Sequence, residues 1–143
     1  MDVGLVSLVT ELFAAIQLLS AYPVPEAFPE IYRLPRTEIQ RRLCEGRPCQ
    51  ILAFYDPESG VFIDESLDVG NDAFDRSILL HELVHHLQKT SGKFDSLANA
   101  CRRRNAEEGE AYEIQYRYLA GLHINRQLLL RGGASRCGPA VGE

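Results

Sequence analysis

Two histidines spaced four residues apart, with a glutamate directly after the first, form the segment His81-Glu82-Leu83-Val84-His85. On an α-helix, residues i and i+4 lie on one face, so both imidazoles can reach one zinc ion. Glu82 stands beside them, where a carboxylate can take a proton from a water on that ion. The pattern is expected by chance only roughly 0.01 times in this chain. We therefore interpret His81 and His85 as metal ligands and Glu82 as a catalytic base.

The residues around this motif predict the helix that the chemistry needs. Asn71–Asp75 supplies helix-capping side chains, an apolar run follows, and Thr90-Ser91-Gly92 supplies a stop. His86 points about 100° away from His85 on such a helix, so we interpret it as a packing residue and not as a ligand.

A catalytic zinc ion usually has three protein ligands and one open position, so a third ligand is expected downstream. The metzincin pattern requires Gly and His at two positions where this chain has Gln88 and Ser91. A carboxylate on a second helix is the remaining solution, and the stretch from about Asn105 to Leu130 predicts that helix. Its buried stripe is Ala111, Ile114, Gln115, Tyr118, Leu119 and Leu122.

Three glutamates on the second helix are candidate ligands. Glu107 and Glu108 both fall about 50° from the centre of the buried stripe, and Glu110 falls roughly 110° away. Helix geometry alone leaves Glu107 and Glu108 equally placed. His123 lies 15 residues beyond Glu108, about 22 Å along a continuous helix, so we interpret it as a surface histidine unless the helix breaks near Gly121.

A family resemblance separates these candidates. The chain resembles the gluzincin zinc metallopeptidases, in which the H-E-x-x-H helix is completed by a glutamate from a following helix, as in the pattern E-G-D-A. Glu108-Gly109-Glu110-Ala111 is similar to that pattern. Small bacterial proteins regarded as zinc proteases resemble this chain over His81–Gln88 and Glu108–Leu119. The resemblance covers the two helices well and the first half of the chain loosely.

The resemblance implies Glu108 as the third zinc ligand and an α+β, zincin-like fold. That fold has a small antiparallel sheet or hairpin, the active-site helix and a long C-terminal helix that carries the third ligand. Where some members of the class have an aspartate four residues after this ligand, the chain has Tyr112. We expect Tyr112 to pack, and we consider Gln115 as a possible hydrogen-bond partner of a ligand, with a core-edge or solvated position as its alternative.

The first half of the chain predicts smaller elements. Four prolines in Tyr22–Pro35 predict a wrapping connector, and Arg36–Cys44 predicts a short helix. Gln50–Tyr55 and Val61–Asp64 predict two antiparallel strands joined by a turn at Asp56–Gly60. By resemblance, Val61–Asp64 is the candidate edge strand that would bind a substrate peptide, with a plain core hairpin as the alternative.

The N-terminal residues Val3 to Ala21 predict a packed helix. The residues before this stretch include Asp2 and no Lys or Arg, which argues against a signal peptide. Thr10, Glu11 and Gln17 interrupt any membrane span. The apolar stripe of this helix is Leu5, Leu8, Val9, Leu12, Ile16 and Leu19.

Length and composition predict one domain over residues 1–131 with a flexible tail over 132–143. A net charge of −5 argues against nucleic-acid or anionic-membrane partners. Cys44 with Cys49, and Cys101 with Cys137, could form disulfides, which would fit an extracytoplasmic location, while a reducing cytosol would leave all four thiols free. A four-cysteine zinc site is disfavoured because no C-x-x-C occurs.

These observations together predict a zinc-dependent metallopeptidase that holds one zinc ion and acts on peptide or protein substrates. The leading alternative is a non-catalytic, zinc-stabilised binding module that retains the site. A further alternative is an interaction domain held by its cysteines, in which the motif is incidental. Glu82 favours the enzyme, because a purely structural site has no need of a base.

Overall fold

A computed structural model describes residues 1–125 and Cys137. Within these residues the fold is α+β, with four helices and one three-stranded sheet. In chain order the elements are α1 (Val3–Leu19), β1 (Ile31–Leu34), α2 (Arg36–Leu43), β2 (Ala53–Asp56), β3 (Gly60–Asp64), α3 (Ala73–Ser91) and α4 (Ala100–Gly121). Helices α3 and α4 make the most extensive contact between any two elements described.

The sheet has the order β1-β3-β2, with β1 parallel and β2 antiparallel to β3. Strand β3 therefore lies in the centre, and all five of its residues are buried. The prediction that Val61–Asp64 forms a substrate-binding edge is wrong, because both sides of this segment are already paired. A strand with no free backbone donors and acceptors cannot add a peptide.

Strand β1 is the element that the sequence interpretation missed. It lies inside Tyr22–Pro35, which was predicted to be a wrapping connector, and it makes the sheet mixed instead of purely antiparallel. The predicted hairpin is confirmed, although β2 begins at Ala53 and not at Gln50. Gly60 at its turn has φ 131°, and a Cβ there would lie 2.3 Å from the Glu30 carbonyl oxygen, so only glycine fits.

The predicted N-terminal helix and its stripe are confirmed. Val9, Leu12 and Ile16 of α1 are buried in the main core, and the other stripe residues pack against that core. The core also takes side chains from β1, β3, α3 and α4, so it joins α1, α3 and α4 to one face of the sheet. The short helix predicted over Arg36–Cys44 is confirmed as α2.

Helix α4 differs from its prediction at both ends. It begins five residues before Asn105, because the Asn99 side chain caps it by accepting from the Arg102 backbone N–H at 3.1 Å. It ends at Gly121, and His123 has φ 59°, so the predicted continuation through Leu122 is wrong. Residues 126–130 of the predicted helix lie outside the described residues.

Of the two alternatives for the cysteines, the paired one is present, with disulfides Cys44–Cys49 and Cys101–Cys137. The second joins the N-terminal turn of α4 to a residue 36 positions later in the chain. Apart from Cys137, the predicted tail over 132–143 lies outside the described residues. In the part of the chain that the structure describes, every helix is too short or too polar to cross a bilayer.

Candidate metal centre

The H-E-x-x-H motif lies in the middle of α3. The Asp72 side chain caps the start of this helix by accepting from the backbone N–H groups of Phe74 and Asp75, and Gly92 ends it in the left-handed conformation at φ 69°. These caps confirm the predicted helix. Its regular pitch places His81 and His85 on one face, with their ring centroids 4.9 Å apart.

Helix α4 brings one carboxylate to both imidazoles. Glu108 Oε1 lies 3.4 Å from His81 Nε2 and forms a direct, shorter hydrogen bond with His85 Nε2. One ligand atom from each of these three residues lies within 4.8 Å of the other two. The Glu108 side chain is 23% exposed, so solvent reaches the group from one side.

The other two candidate glutamates do not join this group. The Glu107 backbone carbonyl accepts a hydrogen bond from Gln88 Nε2 at 2.8 Å. Glu110 accepts from the same amide at 3.1 Å and also from Tyr22 and Lys93. Rotation of α4 against α3 thus selects Glu108, which helix geometry alone had left equal to Glu107.

Each imidazole uses its second nitrogen on a glutamine. His81 Nδ1 lies 2.9 Å from Gln115 Oε1, and His85 Nδ1 lies 2.8 Å from Gln88 Oε1. Both glutamines are almost fully buried. Gln115 is therefore a hydrogen-bond partner of His81, one of the positions expected for it, whereas the sequence pattern assigned no such role to Gln88. Its position three residues after His85, on the same helix face, is the signal that could have found it.

The charges in the group depend strongly on one another. Burial alone would lower the pKa of His85, but the hydrogen bond to Glu108 and the charges of Glu82 and Glu108 raise it to about 9. Burial opposes the charge on Glu108, yet its bonds to both imidazoles hold the pKa of this carboxyl far below its usual range. Burial raises the pKa of Glu82, although His81 and His85 act against the rise.

The spacing of His81, His85 and Glu108 approaches that of three ligands around a tetrahedral zinc ion. Two donors bound at about 2.1 Å with tetrahedral angles lie about 3.4 Å apart, which is the distance between His81 Nε2 and Glu108 Oε1. The His85–Glu108 side must widen from a direct hydrogen bond to the same separation. Two imidazoles and one carboxylate are also a ligand set that catalytic zinc sites use.

Three other residues considered from the sequence, His86, Tyr112 and His123, lie outside the group of three. His86 contacts Tyr55 Oη and the Ala27 carbonyl oxygen, each at 3.2 Å, and so lies on another side of α3, as expected. The Tyr112 ring packs edge-on against the His81 imidazole, with ring centroids 4.5 Å apart. His123 is exposed beyond the end of α4 and is not one of the three grouped residues.

Comparison with known proteins assigns the chain to a family. The family model described as Domain of unknown function (DUF6647) matches residues 4–130, and the chain belongs to this family. No curated protein and no solved structure shows a significant match.

Proposed function

We propose that this DUF6647 protein is a zinc-dependent metallopeptidase in which His81, His85 and Glu108 hold the ion and Glu82 is the general base. The observation that carries this proposal is the convergence of one nitrogen from each of two imidazoles and one carboxylate oxygen within 4.8 Å of one another, next to the glutamate of the motif. A merely structural site would not require that glutamate.

Zinc, when bound, would polarise the scissile carbonyl and lower the pKa of a bound water from about 15.7 towards 7. Glu82 takes the proton of the attacking water, whose oxygen forms a bond to the carbonyl carbon. The C–N bond then breaks, and Glu82 returns the proton to the leaving amine. Burial supports this role, because it raises the pKa of Glu82 and a carboxylate with a raised pKa is a stronger base.

We extend the proposal to the architecture and the location. An H-E-x-x-H helix packed on a small sheet, followed by a helix that supplies a glutamate, supports a zincin-like arrangement, here with a mixed three-stranded sheet. The two disulfides, Cys44–Cys49 and Cys101–Cys137, support an oxidising, extracytoplasmic environment.

Metal analysis and proteolysis test the function together. We expect one zinc ion per chain in the parent protein, loss of zinc in His81→Ala and retention in Glu82→Gln. We expect the parent to cleave casein or a peptide library and Glu82→Gln to be slower by about 10²–10⁴-fold, the usual contribution of a general base. Equal cleavage by the parent and Glu82→Gln would contradict the assignment of the base.

A second candidate is a non-catalytic module that zinc stabilises. One observation favours it: the three ligands join α3 to α4, the pair of helices with the most extensive contact in the described fold, so an ion here would tie that contact together. This candidate predicts that zinc raises the melting temperature of both parent and Glu82→Gln and that neither cleaves any substrate offered.

A further inference from the structure

We propose that Gln115 and Gln88 are positioning residues that hold a proton on Nδ1 of His81 and His85, so that each ring presents Nε2, the nitrogen that contacts Glu108, to the zinc ion. This inference rests on the proposed function, because it concerns the ligands of the same ion. It gives a role to two buried amides, and it predicts which nitrogen of each ring binds zinc.

The orientation of the Gln115 amide follows from the hydroxyl next to it. Ser77 Oγ donates its only proton to the Phe74 carbonyl oxygen at 2.6 Å, so it can only accept from Gln115 Nε2 at 3.0 Å. The amide nitrogen therefore faces Ser77, and Oε1 faces His81 Nδ1. Because a carbonyl oxygen only accepts, His81 Nδ1 must carry the proton and the neutral ring keeps its lone pair on Nε2.

The orientation of the Gln88 amide follows from two other acceptors. Its Nε2 donates to the Glu107 backbone carbonyl at 2.8 Å and to the Glu110 carboxylate at 3.1 Å. Neither partner can donate a proton, so Oε1 must face His85 Nδ1. By an independent set of contacts, His85 Nδ1 therefore also carries a proton. The Nε2 proton that bonds Glu108 in the metal-free protein must leave when this nitrogen binds zinc.

The Gln88 amide is anchored by a group of side chains from three parts of the chain. The Glu110 carboxylate that it contacts also accepts from the Tyr22 hydroxyl and from the Lys93 ammonium group. Lys93 also lies 5.2 Å from the centre of the Tyr22 ring. Rotating the amide would place its carbonyl oxygen against this carboxylate, so the Tyr22–Glu110–Lys93 contacts hold the amide in one orientation.

Neutral amides orient the rings without adding charge. A carboxylate partner makes an imidazole a stronger ligand and brings further negative charge close to the ion. With Glu108 as the single charged ligand, a divalent ion and its three protein ligands would together carry a net positive charge. In Gln115→Glu a carboxylate oxygen still accepts from His81 Nδ1, and the Ser77 hydroxyl can rotate from the Phe74 carbonyl to donate to the other oxygen. We therefore expect this variant to preserve the Nδ1 proton and to bind zinc at least as tightly as the parent.

Zinc affinity and side-chain ¹⁵N NMR of the zinc-loaded protein test this inference. The variants are Gln115→Leu, Gln88→Leu and Gln115→Glu. Tyr55→Phe is the matched control, because it removes the corresponding hydrogen bond from His86, which lies outside the group. Affinity is measured by competition for zinc(II) with a chromophoric chelator, and NMR reports which ring nitrogen is bound to metal and which carries a proton.

In the parent protein we expect metal on Nε2 and a slowly exchanging proton on Nδ1 of both His81 and His85. Each Leu variant should lose about 10–100-fold in zinc affinity and lose the protected Nδ1 proton of its own histidine only. Gln115→Glu should restore the affinity that Gln115→Leu loses, and Tyr55→Phe should match the parent.

Two results would overturn the inference while leaving the proposed function intact. One is parent-like zinc affinity in both folded Leu variants. The other is coordination through Nδ1 of either histidine in the parent, a result that needs no variant and so does not depend on variant folding. A parent protein that binds no zinc would instead overturn the proposed function, and the inference with it.

Discussion

Helix α3 carries two adjacent histidines whose surroundings have opposite effects. His85 faces α4 and bonds Glu108, and its pKa rises to about 9. His86 faces the sheet and the connector before it, where burial lowers its pKa and its partners are the Tyr55 hydroxyl and the Ala27 carbonyl. The surroundings of His85 thus favour the charged form of an imidazole, and those of His86, on another side of the same helix, favour the neutral form.

The contrast extends along the whole helix. The side of α3 towards α4, here called the site face, buries polar side chains: Ser77, His81 and Gln88. The side towards the sheet and α1, here called the core face, buries Leu79, Leu83 and His86. Within the described residues, no buried side-chain nitrogen or oxygen lacks a hydrogen-bond partner, so the polar site face carries no uncompensated desolvation penalty. We infer that the site face provides chemistry and the core face provides stability.

The matched variants His85→Gln and His86→Gln should separate the site face from the core face most clearly. We expect His85→Gln to weaken zinc binding about 1000-fold, because one of three ligands accounts for roughly a third of a binding free energy on the order of 12 kcal/mol. His86→Gln should leave the affinity within about 2-fold, because His86 is not one of the three grouped residues. Its hydrogen bonds go to Tyr55 and Ala27, so it does not orient the ring of either ligand histidine. Calorimetric titration with zinc(II) measures both, and equal losses would show that the two faces are not distinct.

Truncation on the core face should act on stability alone. Leu79 is fully buried in the main core, and Leu79→Ala should lower the free energy of unfolding by about 2–5 kcal/mol through lost burial and a cavity. Zinc affinity of the folded variant should not change. Urea denaturation of the chelator-treated protein gives the stability, and a large drop in zinc affinity without loss of stability would contradict this division.

The pH dependence of the metal-free protein should separate the two histidines. The folded pKa of His85, about 9, exceeds its usual 6.5, so its contribution is full below pH 6.5 and is lost as the pH rises through 9. That contribution is on the order of 3 kcal/mol. The folded pKa of His86 is lowered, so below pH 6.5 the unfolded state binds more protons and stability rises with pH.

Denaturant titrations from pH 5 to 9 on chelator-treated protein test these opposite slopes. His85→Gln should remove the decline above pH 6.5, and His86→Gln should remove the rise below it. A decline above pH 6.5 that persists unchanged in His85→Gln would assign it to another group.

The smallest expected effect is that of Tyr55→Phe. Removal of the hydroxyl that bonds His86 Nδ1 should cost about 1 kcal/mol of stability. Because this bond lies on the core face, the zinc affinity and any peptidase activity should stay at the parent level. Differential scanning calorimetry and a cleavage assay together check this expectation.

Elements defined by local pattern could be predicted from the sequence. Helices α1 and α3 have apolar residues at helical spacing, and α3 also has capping residues at its ends. Strand β1 could not be predicted, because four residues between prolines carry too little periodicity and are held by pairing with β3, about 30 residues later. The prediction of β3 as an edge strand fails for the same reason, because its second neighbour is this unpredicted strand.

At the end of α4, the local pattern predicts more helix than the structure has. The helical pattern continues past Gly121, yet the helix ends there and Leu122 is 44% exposed. Helix propensity alone rarely decides where a helix ends, and among the described residues no tertiary contact buries Leu122.

Two local properties, an interval of four residues and the pitch of an α-helix, are enough to place His81 and His85 on one side of a helix with Glu82 beside them. The order of residues alone therefore settled that part of the site. The choice of Glu108 over Glu107 and Glu110 came instead from the folded chain. It depends on the rotation and displacement of α4 against α3, which the packing of the whole core sets and which no interval along the chain encodes.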